Sequence, residues 1–237
     1  MKVIAVMPAF NAGKTLKRTL KDIPKKTVNQ VILVDDHSSD NTVSLAKKLK
    51  LKIFTHPQNR GYGANQKTCY TLALSAGADI VVMIHPDYQY DSSLTGDLIK
   101  PIKKGTFDIM LGSRIRTREE AIKGGMPLYK YFSNRFLTLI ENIILGQNLS
   151  EYHTGFRAYS RKILEDVPFH KYSDSFVFDQ QLLFGAIAKK AKIGEIAVPV
   201  RYFPEASSIN FSKSAIYGLS ILRDLLIYIF SGGKAFI

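Results

Sequence analysis

The sequence predicts an α/β protein: a mainly parallel, Rossmann-like sheet flanked by helices and continued by a C-terminal helical tail. Two observations carry this. Short apolar runs alternate with helical segments of about ten residues through the first two thirds of the chain, the pattern of parallel strands joined by crossover helices. The polar residues then cluster where those apolar runs end, along the sheet edge at which open α/β sheets bind ligands.

Val3–Met7 reads as a buried strand, followed by the turn-rich Pro8-Ala9-Phe10-Asn11-Ala12-Gly13 and a helix over Lys14–Ile23. Val31–Val34 is a second strand, ending in Asp35-Asp36, and Ser39 or Asp40 is placed to cap a helix over Thr42–Leu49. Ile53–Thr55 is a third strand. Asn59-Arg60-Gly61-Tyr62-Gly63 leads into a helix over Ala64–Ala76, where Cys69, Leu72, Ala73 and Ala76 repeat at helical spacing.

Ile80–Ile84 is apolar throughout, as a strand buried on both faces must be, and gives way abruptly to His85-Pro86-Asp87-Tyr88-Gln89. A carboxylate and an amide two residues apart suit a hard cation beside a diphosphate. The other reading is a polar turn in which Asp87 bonds the backbone. A helix over Leu94–Ile102 and a strand over Asp108–Leu111 follow, the latter running into Gly112-Ser113-Arg114.

Beyond Arg118 the pattern changes. Residues 119–148 read as helical, with Phe132, Phe136, Leu139, Ile140, Ile143 and Ile144 forming an apolar stripe. Short and longer helices are expected over Arg161–Leu164 and Phe178–Lys189, and a last strand over Ile193–Tyr202, broken by Pro199. Residues 1–211 are expected to form the main domain. Residues 212–237 form an amphipathic helix for a membrane interface or an oligomer contact.

The net charge of +13 draws anions: nucleic acid, anionic lipid or phosphorylated substrates. Trp is absent and no RNA- or DNA-binding signature is present, so nucleic acid is not an expected partner. One cysteine, Cys69, excludes an internal disulfide framework and fits a reducing compartment. No secretory signal is read at the N-terminus, and no apolar run reaches the ~20 residues that span a bilayer. The expected location is cytoplasmic, peripheral on the inner face of the cell membrane.

PAFNAG, VDDHSSDNT, NRGYGAN, HPDYQY, GSR and HTGFRAYSR, in this order and spacing, resemble the family 2 glycosyltransferases of the GT-A fold. The likeness is to the branch containing dolichyl-phosphate mannose synthase and related polyprenyl-phosphate sugar synthases, and it covers roughly Lys2–Ser212. It implies that Pro8, Ala9 and Phe10 lie against the nucleotide base and that Asp36 accepts a hydrogen bond from it. Gly61 and Gly63 would let the backbone approach the nucleotide. HPDYQY matches the family's metal motif at Asp87 and Gln89, the implied ligands of Mg²⁺ or Mn²⁺, but has His85 at the usual first Asp. His85 is thereby placed beside the nucleotide diphosphate or the metal.

Arg114 matches an arginine suited to bidentate phosphate contact. Thr154, Arg157, Arg201 and Ser208 fall in segments resembling the acceptor and phosphate side, and Glu151 stands where the family usually has Asp. The resemblance implies inversion by single displacement, from a UDP- or GDP-sugar to an acceptor, here a polyprenyl phosphate. Catalysis would rest on Asp87, Arg114 and Asp179. Asp179 is the candidate base, or simply a helix N-terminal carboxylate. Two other functions stay open: a sugar-1-phosphate nucleotidyltransferase, and a nucleotide-sugar-binding module that His85 has left without catalysis.

Overall fold

The structure, a computed structural model, describes residues 1–115, 117–199, 201–203 and 211–237. Ser208 lies outside the described residues. The strands are β1 (Val3–Ala9), β2 (Gln30–Asp35), β3 (Lys52–Thr55), β4 (Ile80–Met83), β5 (Ile109–Ser113), β6 (Arg157–Ser160) and β7 (Ile193–Ala197). The helices are α1 (Leu16–Asp22), α2 (Thr42–Lys48), α3 (Tyr62–Ser75), α4 (Thr95–Lys103), α5 (Arg118–Lys123), α6 (Leu128–Leu145), α7 (Arg161–Asp166), α8 (Phe178–Ala188) and α9 (Phe211–Ser231).

The seven strands make one sheet in the order β3-β2-β1-β4-β6-β5-β7. Strands β1 to β4 are mutually parallel, as are β5 and β7. All of β1 and β4 is buried because alternate side chains feed two separate cores. Val3, Ala5, Met7, Ile80 and Val82 pack with Leu16 of α1, Ala46 of α2 and Leu98 of α4. Ile4, Val6, Val81 and Met83 pack on the opposite face with Tyr70 of α3, Phe184 of α8 and Ile221 of α9.

Three differences from the sequence reading matter. First, β6 runs antiparallel between β4 and β5, pairing Met83 with Arg157 and Ile109 with Tyr159. Second, the helix expected over 119–148 is two helices, α5 and α6. Gly125 (φ 90°) lies in the break and Pro127 precedes the first turn of α6. Third, the last strand stops at Ala197, short of Tyr202.

Helix α6 carries apolar residues on both its buried and its exposed faces. It buries Asn134, Thr138 and Glu141 along with Leu137 and Leu145, while Phe136 (60%) and Ile143 (73%) stand exposed with Phe132 and Leu139. Helix α9 packs beside it. It buries Ile221 and Leu225 in the core, and its buried Asp224 accepts a hydrogen bond from Gln181 Nε2 of α8 at 2.7 Å. Its other face exposes Ile216, Leu219, Leu226, Ile229 and Phe230. Over Ser212–Ser231 this helix is long and apolar enough, by length and composition, to cross a membrane, with 17% of the stretch buried. Arg223 and Asp224 lie within the apolar stretch, whose mean hydropathy is still 1.4, so by length and composition the expectation that no run approaches that length is corrected.

Candidate active site

The chain leaves β1 toward β2 and β3 on one side, then crosses to β4 and the strands beyond it, so the order reverses between β1 and β4. A crevice opens at the carboxyl ends of strands at such a switch point. The loops after β1, β2 and β4 all issue there.

After β1, Pro8 and Ala9 are buried within the strand, and only Phe10, 55% exposed, stands out at its end. After β2, the buried Asp36 organises the neighbouring loop. Its Oδ1 accepts from Arg60 N at 2.9 Å and contacts His56 Nδ1 at 2.7 Å, and its Oδ2 accepts from Gly61 N at 2.9 Å. Gly61, at φ 93°, turns the chain into α3. Gly63 owes its lack of a side chain to the fold: a Cβ there would lie 2.5 Å from the Ser173 carbonyl oxygen and 2.8 Å from Phe178 Cβ.

After β4, Asp87 Oδ1 accepts from Gln89 N at 3.0 Å, the backbone bond of a polar turn. Tyr88 takes the left-handed conformation (φ 61°) between the guanidinium groups of Arg18 and Arg201, 4.8 and 4.6 Å from its ring centroid. Arg201 N donates to Gln89 O at 2.9 Å, its guanidinium lies 3.6 Å from the Asp91 carboxylate, and its buried Nη1 has no hydrogen-bond partner among the described residues.

Beside this loop lies a cavity of about 580 Å³. His85, Asp87, Gln89, Arg114, Thr154 and Asp179 all line it, together with Lys130, Asn134 and Phe136 of α6 and Tyr217, Gly218 and Leu219 of α9. Phe10, Asp36, Gly61, Gly63 and Arg201 do not. Its lining thus combines the polar loop after β4 and Arg114 with residues of α6 and α9, among them the exposed Phe136 and Leu219.

Arg114 is held by Glu151, buried on the segment before β6. The Glu151 carboxylate accepts from Arg114 N at 2.6 Å, from Nε at 2.8 Å and from Nη2, and Asn134 Nδ2 joins it at 2.8 Å. Burial opposes charge on both partners, but their proximity prevails, raising the Arg114 pKa well above its ordinary value and lowering that of Glu151. Arg114 Nη1 bonds the Tyr202 hydroxyl at 3.1 Å, and Nη2 also reaches the His153 carbonyl at 2.6 Å.

Arg157 is elsewhere. It is fully buried on β6, and its guanidinium donates to the carbonyls of Thr154, Tyr152 and Asp179 at 2.6, 2.8 and 2.9 Å. It does not line the cavity, which corrects its expected contact with an acceptor phosphate. Its carbonyl contacts fix the first turn of α8, where Asp179 sits. Asp179 Oδ2 accepts from the Tyr62 hydroxyl at 2.8 Å, and Oδ1 is 4.0 Å from Arg157 Nη1. Thr154 spends its hydroxyl proton on Gly112 O at 2.6 Å, tying this loop to β5.

The sequence reading passed over Lys130, which shares one helical face with Asn134 and Leu137. Burial and the neighbouring Arg114 both lower its pKa.

Among the described residues no group of three or more His, Cys, Asp or Glu side chains is placed to hold a metal. A divalent cation here would have Asp87, Gln89 and His85 for protein donors. The Gln89 carboxamide makes no hydrogen bond to any described residue, which leaves its oxygen available. That short donor set fits a cation whose remaining positions are filled by diphosphate oxygens.

A family model described as Glycosyl transferase family 2 matches residues 4–168. The UDP-N-acetylglucosamine–dolichyl-phosphate N-acetylglucosaminyltransferase of Methanococcus voltae is 27% identical over 241 residues, covering 94% of each chain. The dolichyl-phosphate hexose transferase of Haloferax volcanii is 23% identical over 223 residues, covering 93% of this chain and 92% of its own. A crystal structure of glucosyl-3-phosphoglycerate synthase from Mycobacterium tuberculosis, with Mn²⁺, UDP-glucose and phosphoglyceric acid, superposes with a TM-score of 0.71. It shares 18% identity and the match covers 96% of this chain and 79% of that one, a likeness of fold.

Proposed function

The chain belongs to glycosyl transferase family 2, and from that premise we propose that it moves a sugar from a nucleotide-diphosphate sugar, UDP- or GDP-linked, to a polyprenyl phosphate at the cytoplasmic face of the membrane. The observation that carries this is the cavity itself. It is lined both by Asp87, Gln89 and Arg114 and by residues of α6 and α9, two helices whose outer faces are exposed and apolar. The two relatives named for transfer onto dolichyl phosphate support the same acceptor class.

A divalent cation, Mg²⁺ or Mn²⁺, held by Asp87 and Gln89 would supply charge against the departing nucleoside diphosphate. Phe10 and the Asp36 loop lie on the nucleotide side of the crevice. Arg114 Nη1 and Lys130 face the acceptor phosphate, two cations set in a largely apolar wall. Glu151 is occupied with Arg114 and Asn134 and takes no proton from substrate. A lipid monophosphate, with a second pKa of about 6, is largely dianionic at neutral pH and attacks the anomeric carbon without a base. Asp179, bonded to Tyr62 and beside His85, then shapes the sugar end of the cavity. It acts as base only for a hydroxyl acceptor. The exposed faces of α6 and α9 rest in the lipid interface, helped by the chain's net charge of +13.

The test is transfer of radiolabelled sugar from UDP- and GDP-sugars to polyprenyl phosphate in vesicles, with and without EDTA. The expected result is EDTA-sensitive lipid-linked product, with kcat/KM down about 10²–10³-fold in Asp87→Asn. Full activity of Asp87→Asn would overturn the proposal.

A further inference from the structure

The geometry points to His85 Nδ1 as a ligand of the cation, which makes the site a mixed nitrogen and oxygen site that favours Mn²⁺ over Mg²⁺. This rests on the transferase reading and deepens it.

His85 stands two residues before Asp87, and His85, Asp87 and Gln89 all line the cavity. Its ring is fixed on two sides. The Tyr62 ring lies nearly parallel to it (5°, centroids 5.5 Å apart). From the segment before β6, Gly155 approaches so closely that a Cβ there would fall 2.7 Å from His85 Cδ2 and 2.9 Å from Nε2. The Cδ2–Nε2 edge is thus packed against protein.

The hydrogen bonds then choose the tautomer. The Tyr62 hydroxyl has one proton and gives it to Asp179 Oδ2 at 2.8 Å. Its oxygen, 3.3 Å from His85 Nε2, is left to accept, so the ring proton sits on Nε2. Nδ1 keeps its lone pair, makes no hydrogen bond to any described residue and is not among the buried unpaired atoms. Histidines that bind metals through one nitrogen characteristically donate the other N–H to a carboxylate or an equivalent acceptor, which fixes the ring and makes the ligating nitrogen more basic. The relay from His85 through Tyr62 to the Asp179 carboxylate has that form. Imidazole nitrogen suits first-row transition ions, whereas Mg²⁺ prefers an all-oxygen octahedron. Exchanging a carboxylate for an imidazole in a set this small moves the preference toward Mn²⁺.

The experiment is pulsed electron paramagnetic resonance of Mn²⁺ bound to the full chain with UDP. It is repeated on protein labelled with ¹⁵N-histidine, and paired with Mn²⁺ and Mg²⁺ titrations. Wild-type protein is expected to show directly coordinated nitrogen that changes from ¹⁴N to ¹⁵N on labelling. His85→Asp should lose it, and its Mn²⁺-over-Mg²⁺ affinity ratio should fall at least tenfold. Tyr62→Phe should keep the nitrogen signal with about tenfold or greater loss of Mn²⁺ affinity. Bound Mn²⁺ without histidine nitrogen overturns the His85 assignment and leaves the transferase reading in place. No Mn²⁺ binding, with lipid-linked transfer insensitive to EDTA, overturns both.

Discussion

Replacing Arg157 by Met removes a guanidinium from the centre of the sheet and leaves the carbonyls of Thr154, Tyr152 and Asp179 without their donor. Hydrogen bonds from a charged group contribute about 2 kcal/mol each, and burying the Met side chain returns about 2 kcal/mol, which leaves a net loss of about 4 kcal/mol. Against a total stability of about 5–15 kcal/mol, that brings the protein near its folding threshold. The assay is urea unfolding followed by circular dichroism, because the chain has no Trp and a Tyr signal spread over twelve residues. Arg157→Lys should fall between, since one ammonium cannot span three carbonyls fixed around a planar fork. A loss below about 1 kcal/mol, together with a raised KM for the lipid phosphate, would refute the reasoning and return Arg157 to the acceptor.

Glu151→Gln tests the Arg114 clamp through pH. The folded pKa of Glu151 lies below its ordinary 4.5 because Arg114 outweighs burial, so its stabilisation is complete above that value and is lost as pH falls through the folded value. The wild-type advantage in urea midpoint should hold level between about pH 6 and 8 and shrink below about 4.5; growth on acidification would contradict the pairing. Lys130→Met should raise the KM for polyprenyl phosphate about tenfold, equivalent to one phosphate contact of about 1.4 kcal/mol, with a smaller change in kcat. A reversed pattern in steady-state kinetics removes Lys130 from the acceptor side. The double substitution Ile143→Asp, Leu219→Asp, on the exposed faces of α6 and α9, should weaken co-sedimentation with anionic vesicles at least tenfold, about 1.4 kcal/mol. Circular dichroism should remain unchanged, and undiminished sedimentation would mean another surface meets the lipid.

The parallel strands and their polar ends were legible because each apolar run is bounded by residues that cannot continue it, as at Ile84–His85. Strand β6 was not, since Arg-Ala-Tyr-Ser carries neither alternation nor length, and only its pairing with both β4 and β5 makes it a strand. That same insertion decides the fate of Arg157, which resembles a ligand in sequence and is enclosed in three dimensions. The Arg114–Glu151 clamp joins the end of β5 to the segment before β6, 37 residues on, and leaves no local trace. On α6 the apolar stripe was visible, but not that Phe132, Phe136, Leu139 and Ile143 face outward while Ile140 and Ile144 pack on the core, because periodicity gives the phase of a face and not its direction.

The exposed apolar faces of α6 and α9, joined to the cavity lining at Phe136 and Leu219, have a kinetic consequence for the proposed acceptor. A nucleotide sugar would arrive by three-dimensional diffusion through water, and a polyprenyl phosphate by lateral diffusion in a film. Turnover should then follow the acceptor's mole fraction among surrounding lipids, and diluting it with inert phospholipid at fixed total amount should slow the reaction.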